Sequence, residues 1–146
     1  MRAVVQRVTS AAVTVGGEVV GAIGPGLCVL VGVGRDDEPN DAIVLAKRLV
    51  HLRIFDGAGG HADASVEDVG GEVLVVSQFT LLADTSRGRR PSFSQAASAE
   101  QAAPLVDALV AQLRDHGATV ATGRFGAAMQ VSLVNDGPFT VLLDTH

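Results

Sequence analysis

The sequence predicts an α+β protein, and two kinds of segment support this fold class. Short runs rich in Val, Leu and Ile, bounded by Gly, Pro, Asn and Asp, indicate strands, whereas two longer segments carry apolar residues at helical spacing. A length of 146 residues suits one domain, residues 1–146. Hydrophobic residues make up 47% of the chain but only five residues are aromatic, all of them Phe, so the core is aliphatic and favours strands.

Three strands are predicted in the first quarter of the chain. Residues 3–15 are rich in β-branched side chains, Gly16-Gly17 is a two-residue hairpin signal, and residues 18–23 return as the second strand. The turn Gly24-Pro25-Gly26 leads into residues 27–33, which are apolar throughout. This third run is typical of a central strand that is buried on both faces.

The first helix is expected to open near residues 36–40, where acidic side chains favour the positive helix end, and to end at His51. Residues 52–55 are predicted as a short strand, residues 56–71 as a loop, and residues 72–77 as a strand that ends where the segment 78–82 begins. Ser98 is expected to cap the second helix, with Gln101 in the capping-box position and Gly117 ending it. Residues 118–122, 127–134 and 139–143 complete the predicted strands.

Composition and charge exclude several classes of function. A net charge of −5 argues against a protein that coats nucleic acid without specificity, although a local contact with a nucleic-acid end remains compatible. The single cysteine, Cys28, lies in an apolar run and is interpreted as a small buried hydrophobe. The four histidines lack metal-ligand spacing, so we expect neither a metal nor another cofactor. No leader or membrane-spanning pattern is found, and a cytoplasmic location is expected.

The best candidate for chemistry in the chain is Ser77-Gln78-Phe79-Thr80. Polar groups appear abruptly there at a strand end, where successive backbone N–H groups can stabilise an oxyanion and Phe79 can stack on a base. Taken alone, the segment is more simply a strand followed by a turn.

Two other segments have alternative interpretations. The run containing Arg87, Arg89 and Arg90 fits a solvated loop and a local phosphate contact about equally well. Asn135-Asp136-Gly137-Pro138 has strong turn chemistry. A proline between two strand-like segments is unusual, however, and X-Pro is the main place where a cis peptide bond occurs.

The two motifs Ser77-Gln78-Phe79-Thr80 and Asn135-Asp136-Gly137-Pro138, in this order, resemble the D-aminoacyl-tRNA deacylases of the bacterial and eukaryotic type. The likeness extends over essentially the whole chain. It includes residues 1–8, 52–55, 70–72, 88–93 and 122–126.

The resemblance implies a three-layer β/β/α domain whose sheets form a barrel-like core in a homodimer with active sites at the interface. It implies hydrolysis of the ester that joins a D-amino acid, or glycine, to the tRNA acceptor end, in chiral proofreading. The Phe79 and Thr80 N–H groups are the expected oxyanion donors, beside Ser77 and Gln78. Gln78 and Phe79 would hold the terminal adenosine.

The resemblance also gives Gly137 and Pro138 a role in rejecting L-aminoacyl substrates in the neighbouring subunit, through a cis peptide bond. Arg7 and Asn135 would support this motif, although a solvent-facing strand arginine is the alternative for Arg7.

The sequence departs from the family pattern at Leu82, Ala128, Phe139 and residues 60–63, which leaves substrate-side details open. Two other functions are considered. A non-catalytic module that binds the tRNA 3′ end would use the same pocket, and a purely structural dimerisation domain would use both motifs as turns.

Overall fold

Eight strands and two helices make up the fold in the computed structural model, which describes residues 1–146. The elements are β1 (Arg2–Val15), β2 (Glu18–Ile23), β3 (Gly26–Gly32), α1 (Pro39–His51), β4 (Phe55–Gly57), β5 (Gly60–Ala64), β6 (Glu72–Ser77), α2 (Ala99–Asp115), β7 (Thr119–Thr122) and β8 (Met129–Asp144). A short 3-10 helix, Phe79–Leu82, follows β6. No helix is both long and apolar enough to cross a bilayer.

Six of the strands form one sheet that wraps into a nearly closed barrel. The antiparallel partners of β1 are β2 along its second half, β3 along its first half, and β8 along both. The pairs β3–β6 and β6–β7 are parallel. Each parallel pair is connected by a crossover that contains a helix, as parallel pairing requires.

Two hydrophobic clusters lie on opposite faces of the central strands. Leu27, Val29 and Val31 of β3 belong to the larger cluster, which includes the buried faces of both helices. Cys28 belongs to the smaller cluster, among side chains of β1, β2 and β6. The expected burial of this run on both faces is therefore confirmed, and the layers are a helix pair, a sheet and the opposing part of the same sheet.

Local sequence signals account for both helices. Pro39 is the first residue of α1, and the Glu38 N–H before it donates a hydrogen bond to Asp41 Oδ2 at 2.8 Å. At the start of α2, Ser98 Oγ accepts from the Gln101 N–H at 3.3 Å, as expected. Only this half of the predicted capping box forms, because the Gln101 side chain donates instead to Arg35 O at 2.7 Å.

Three predicted elements are wrong. Residues 52–54 form no strand, and the region predicted as a loop contains the hairpin of β4 and β5. The two strands predicted at residues 127–134 and 139–143 are one continuous strand, β8, which begins at Met129. The hairpin was missed because its residues are polar and lack apolar alternation. An ion pair between Arg53 and Asp63 accompanies it.

Cys28 is expected to be chemically inert in the native protein. It is buried, and burial raises the pKa of its thiol to about 11 because the thiolate is poorly solvated there. At pH 8 the thiolate fraction is then on the order of 0.001. A disulfide reagent should leave the native protein unmodified and react with one thiol per chain in denaturant; rapid native reaction would contradict this burial.

Candidate functional site

The Ser77–Thr80 segment lies where β6 leaves the sheet. Ser77 is the last residue paired with β3, opposite Val31, and the Gln78 N–H still donates to Val31 O at 2.7 Å. The chain then turns into the 3-10 helix that begins at Phe79. Phe79 and Thr80 are its first two residues, so their N–H groups have no acceptor within the helix. The segment thus presents adjacent backbone donors at a strand end.

An apolar cavity of about 520 Å³ adjoins this segment; we call it the strand-end cavity. Ser77, Gln78 and Phe79 line it at one side, α2 contributes Ala102 and Val106, and the chain before and within β8 contributes Phe125 and Met129. None of its lining residues has an ionisable side chain. Its size and apolar character suit a small organic ligand held by a few polar groups.

The Gln78 side chain orients Thr80. Gln78 Nε2 donates a hydrogen bond to Thr80 Oγ1 at 2.5 Å, so the threonine oxygen accepts and its own proton is free to be donated outward. The Phe79 ring is exposed and meets Phe93 edge-on, with ring centroids 5.2 Å apart. This arrangement leaves an aromatic face available beside a fixed hydroxyl group.

Asn135 and Gly137-Pro138 lie on a bulge of β8. Val8 pairs with Asn135 and Gln6 pairs with Thr140, so residues 136–139 oppose Arg7 alone. Asn135 Nδ2 donates to the carbonyl oxygens of Arg7, at 3.0 Å, and Phe139, at 3.1 Å. The Gly137-Pro138 peptide bond is cis, and both residues are exposed.

Arg7 holds this bulge from beneath. Its side chain is buried, its Nη1 donates to Ile54 O at 2.7 Å, and its Nε donates to Asp136 O at 3.1 Å. The guanidinium also lies 4.5 Å from the centre of the Phe139 ring. The alternative of a solvent-facing arginine is therefore wrong. Phe139, noted above as a departure, supplies an aromatic surface for this buried cation.

The two motifs do not line a common cavity within one chain. Ser77, Gln78 and Phe79 line the strand-end cavity, whereas Thr80, Gly137 and Pro138 do not line it.

Comparison with known proteins agrees with the motifs. The family model described as D-Tyr-tRNA(Tyr) deacylase matches residues 4–144. The chain belongs to this family. It is 61% identical to the D-aminoacyl-tRNA deacylase of Syntrophotalea carbinolica over 146 residues, covering 100% of this chain and 98% of the relative. It is also 61% identical to the D-aminoacyl-tRNA deacylase of Roseiflexus sp. over 145 residues, covering 99% and 94%.

Solved structures show the same fold. A structure titled c-Myc DNA Unwinding Element Binding Protein superposes with a TM-score of 0.94 at 42% identity, covering 100% of this chain and 99% of the other. A second, titled as a probable eukaryotic D-amino acid tRNA deacylase, gives a TM-score of 0.81 at 19% identity and covers 97% of each chain. The mixed α+β fold expected from the resemblance is thus confirmed.

The basic loop of this family member is open to solvent. Arg87, Arg89 and Arg90 are exposed and form neither ion pairs nor hydrogen bonds within the chain. The loop is closed by backbone hydrogen bonds between Asp84 and Ser92. Hydrogen bonds from the Ser86 hydroxyl and N–H lower the pKa of the Asp84 carboxyl, so this residue is anionic at neutral pH. Because Arg87, Arg89 and Arg90 have no partner within the chain, they are free to contact an external anion.

Cavity residues beyond the two motifs were missed from the sequence. Val106 and Met129 belong to ordinary apolar patterns, so no sequence signal separates them from core residues. Phe125 had one signal, an aromatic residue in the turn-forming stretch of residues 123–126, between two glycines. An aromatic ring in such a turn is expected to be exposed, and an exposed ring is a candidate for contact with a ligand.

A cluster of potential metal ligands also forms only in three dimensions. Asp37, Asp41 and His146 bring their ligand atoms within 4.8 Å of one another. The Met1 ammonium donates to Asp37 Oδ1 at 2.7 Å and so already neutralises part of this cluster. Burial would raise the pKa of Asp41, but hydrogen bonds from Glu38 and Thr145 lower it overall. None of the three ligands lines the strand-end cavity.

Proposed function

We propose that this protein hydrolyses the ester bond of D-aminoacyl-tRNA, and of glycyl-tRNA, to release the amino acid and free tRNA. The observation that carries the proposal is the position of the family motif: Ser77, Gln78 and Phe79 line an apolar cavity in a chain that matches the deacylase family over residues 4–144. The whole chain, residues 1–146, would act as one domain without a cofactor.

The strand-end cavity provides no acid or base, which limits the mechanism. Rate enhancement would then come from positioning and from stabilising the oxyanion. Water attacks the ester carbonyl carbon, and the Phe79 and Thr80 N–H groups donate to the oxygen that becomes negative. The carbon–oxygen bond to the ribose then breaks, and the ribose oxygen takes a proton.

Thr80 would orient the attacking water or the substrate, and the substrate itself would transfer that proton. Because Gln78 Nε2 donates to Thr80 Oγ1, the hydroxyl has a fixed direction and can hold the attacking water or the substrate. The neighbouring ribose 2′-OH carries the proton from the water to the leaving oxygen. Thr80 itself is not a covalent nucleophile in this scheme, since no base lines the cavity beside it.

The terminal adenosine would occupy the strand-end cavity. Phe79 offers an exposed ring for stacking, a contact worth roughly 1–3 kcal/mol per base. Gln78 would add a hydrogen bond to the nucleoside. Arg87, Arg89 and Arg90 are candidates for contacts with tRNA phosphates, since they have no partner within the chain.

Gly137 and Pro138 would select the substrate by configuration from a second copy of the chain. Their carbonyl oxygens would accept hydrogen bonds from the substrate α-ammonium and leave no room for a side chain of L configuration. Glycine has no side chain to reject and would pass. The exposure of both residues on β8 supports this placement.

The outer edge of β8 supports a homodimer. This strand has 16 residues and pairs with β1 alone, and it exposes Val134 and Leu142, the latter to 72%. A long exposed edge strand with apolar side chains is a template for pairing with another chain. In this dimer we place Gly137 of the second copy at the strand-end cavity, as the family resemblance implies.

Leu142→Arg should convert the dimer to monomers and lower D-aminoacyl-tRNA hydrolysis in parallel. An unpaired guanidinium in an apolar interface is unfavourable. Light scattering after gel filtration measures the mass, and Val19→Arg, an exposed apolar residue on β2, is the matched control. A wild-type monomer, or a variant that stays dimeric, would reject the proposed interface.

The decisive test of function is hydrolysis of D-tyrosyl-tRNA compared with L-tyrosyl-tRNA. The enzyme should release D-tyrosine in many turnovers and spare the L form. A non-catalytic module would protect the ester without turnover, even at high protein concentration. A purely structural domain would do neither. Because charged tRNAs are used in translation, we place this reaction in the cytoplasm.

A further inference from the structure

A second cavity lies beside the first, between α2 and the β6–β7 edge; we call it the helix-side cavity. It has a volume of about 330 Å³ and shares Ser77, Val106 and Phe125 with the strand-end cavity. In the proposed function, the terminal nucleotide fills the strand-end cavity. Because the substrate is a polynucleotide, its next nucleotide must leave through an adjoining space.

The lining of the helix-side cavity differs in chemistry from that of its neighbour. It contains one acidic and one basic residue, Asp107 and Arg114, both on α2, together with Thr122 of β7. Asp107 and Arg114 are seven residues apart, so they lie on one face of the helix about 10 Å apart along its axis. An occupant therefore meets a carboxylate near the strand-end cavity and a guanidinium further out.

Arg114 is held by one hydrogen bond, and its other N–H donors are free. Arg114 Nη2 donates to Val120 O at 3.1 Å, and the side chain has no acidic partner within the chain. Guanidinium groups bind phosphate through several N–H donors in a fixed plane. Asp107 is exposed and forms no ion pair, so its oxygens can accept from a ribose hydroxyl. Phe125, shared by both cavities and 42% exposed, can stack on a base.

From these positions we propose that the helix-side cavity binds the penultimate nucleotide of the tRNA acceptor end. Arg114 contacts the phosphate on its 5′ side, Asp107 accepts a hydrogen bond from its 2′-OH, and Phe125 stacks on its base. This subsite rests on the proposed function, because that function places the terminal adenosine in the adjoining strand-end cavity. It requires only one phosphate contact, which suits a chain with a net charge of −5.

Binding of small nucleotides tests the subsite without reference to catalysis. The wild-type protein should bind 5′-phosphorylated cytidylyl-adenosine about tenfold more tightly than cytidylyl-adenosine without that phosphate in calorimetry, as one charge-assisted contact predicts. Arg114→Gln should remove this advantage while leaving the affinity for the unphosphorylated dinucleotide unchanged. The matched control is Arg48→Gln, since Arg48 is also exposed and donates to a single carbonyl, Asp144 O. Equal affinities in the wild type, or equal losses for both ligands in Arg114→Gln, would overturn the subsite.

A second variant keeps the test valid if Arg114→Gln is unstable. Asp107→Ala changes an exposed side chain with no ion pair and should fold normally. The wild type should prefer cytidylyl-adenosine to the analogue with deoxyribose at the first position, and Asp107→Ala should bind the two equally. A preference that survives in the variant would contradict the role of Asp107.

Deacylation separates this inference from the proposed function. Arg114→Gln should raise the KM for D-tyrosyl-tRNA about tenfold and leave hydrolysis of D-tyrosyl-adenosine unchanged. If the wild type prefers 5′-phosphorylated cytidylyl-adenosine as expected but hydrolyses neither ester, the proposed function is wrong and the subsite stands. If both esters are hydrolysed equally well by the wild type and by Arg114→Gln, the function stands and the subsite is wrong.

Discussion

Gly137→Ala should reduce kcat/KM for D-aminoacyl-tRNA on the order of 100-fold while leaving the free energy of unfolding unchanged. Within its own chain the new methyl group meets only Asn135 Oδ1, at 3.5 Å, which is an ordinary contact. The φ angle of Gly137 is not in the left-handed region, so alanine is not strained there. In the proposed dimer, however, this methyl group enters the space of the substrate and displaces the ester from its donors.

Gly24→Ala is the matched control for this substitution. A methyl group there also meets one side-chain oxygen at 3.5 Å, Glu72 Oε1, and Gly24 also lacks a positive φ angle. Gly24 lies in the turn between β2 and β3 and has no proposed contact with substrate. Both variants should unfold at the wild-type urea concentration, and only Gly137→Ala should lose activity. Wild-type activity in Gly137→Ala would remove Gly137 from the site.

Gly26→Ala should instead destabilise the protein by about 3 kcal/mol. A methyl group at Gly26 would lie 1.8 Å from Glu72 O and 2.7 Å from Glu72 N, which are backbone atoms of the neighbouring strand. Gly26 pairs with Val8 on one side and Glu72 on the other, so the sheet has to separate to admit the new group. Because these strands form the centre of the sheet, their separation lowers the free energy of unfolding of the whole domain.

Urea unfolding measures this loss as a lower midpoint with the slope unchanged. Gly24→Ala again serves as the control, since Gly24 lies two residues before Gly26, in the turn that leads into β3, and has room for a methyl group. A loss below about 1 kcal/mol for Gly26→Ala would mean that β3 and β6 relax apart more easily than their pairing suggests.

Much of the fold was predictable because local signals and burial agree there. The apolar run of β3 admits no exposed face, and Cys28 is buried within it as expected. Capping and helical spacing predicted both helices, with ends close to those observed. The polar hairpin β4–β5 was missed because its residues lack the apolar alternation by which a strand is predicted, although they pair with each other.

The candidate site divides in the same way. The motif Ser77-Gln78-Phe79-Thr80 was predicted as a group; its first three residues line one cavity, and Thr80 does not. The opposite wall of that cavity was not predicted, because Val106 and Phe125 come from segments far along the chain. The sequence did not decide whether Arg7 supports the Gly137-Pro138 motif or faces solvent. Its burial depends on contacts with Ile54, Asp136 and Phe139, which are remote in sequence.

The sequence by itself determined the fold class, the two motifs and the family to which they point, since these depend on residue order and local pattern. The tertiary structure alone decided that residues 136–139 bulge over a buried Arg7 and that the strand-end and helix-side cavities adjoin. It also decided that Gly137 has room for a methyl group and Gly26 has none. Such properties depend on distances between residues remote in sequence, which only the packed chain defines.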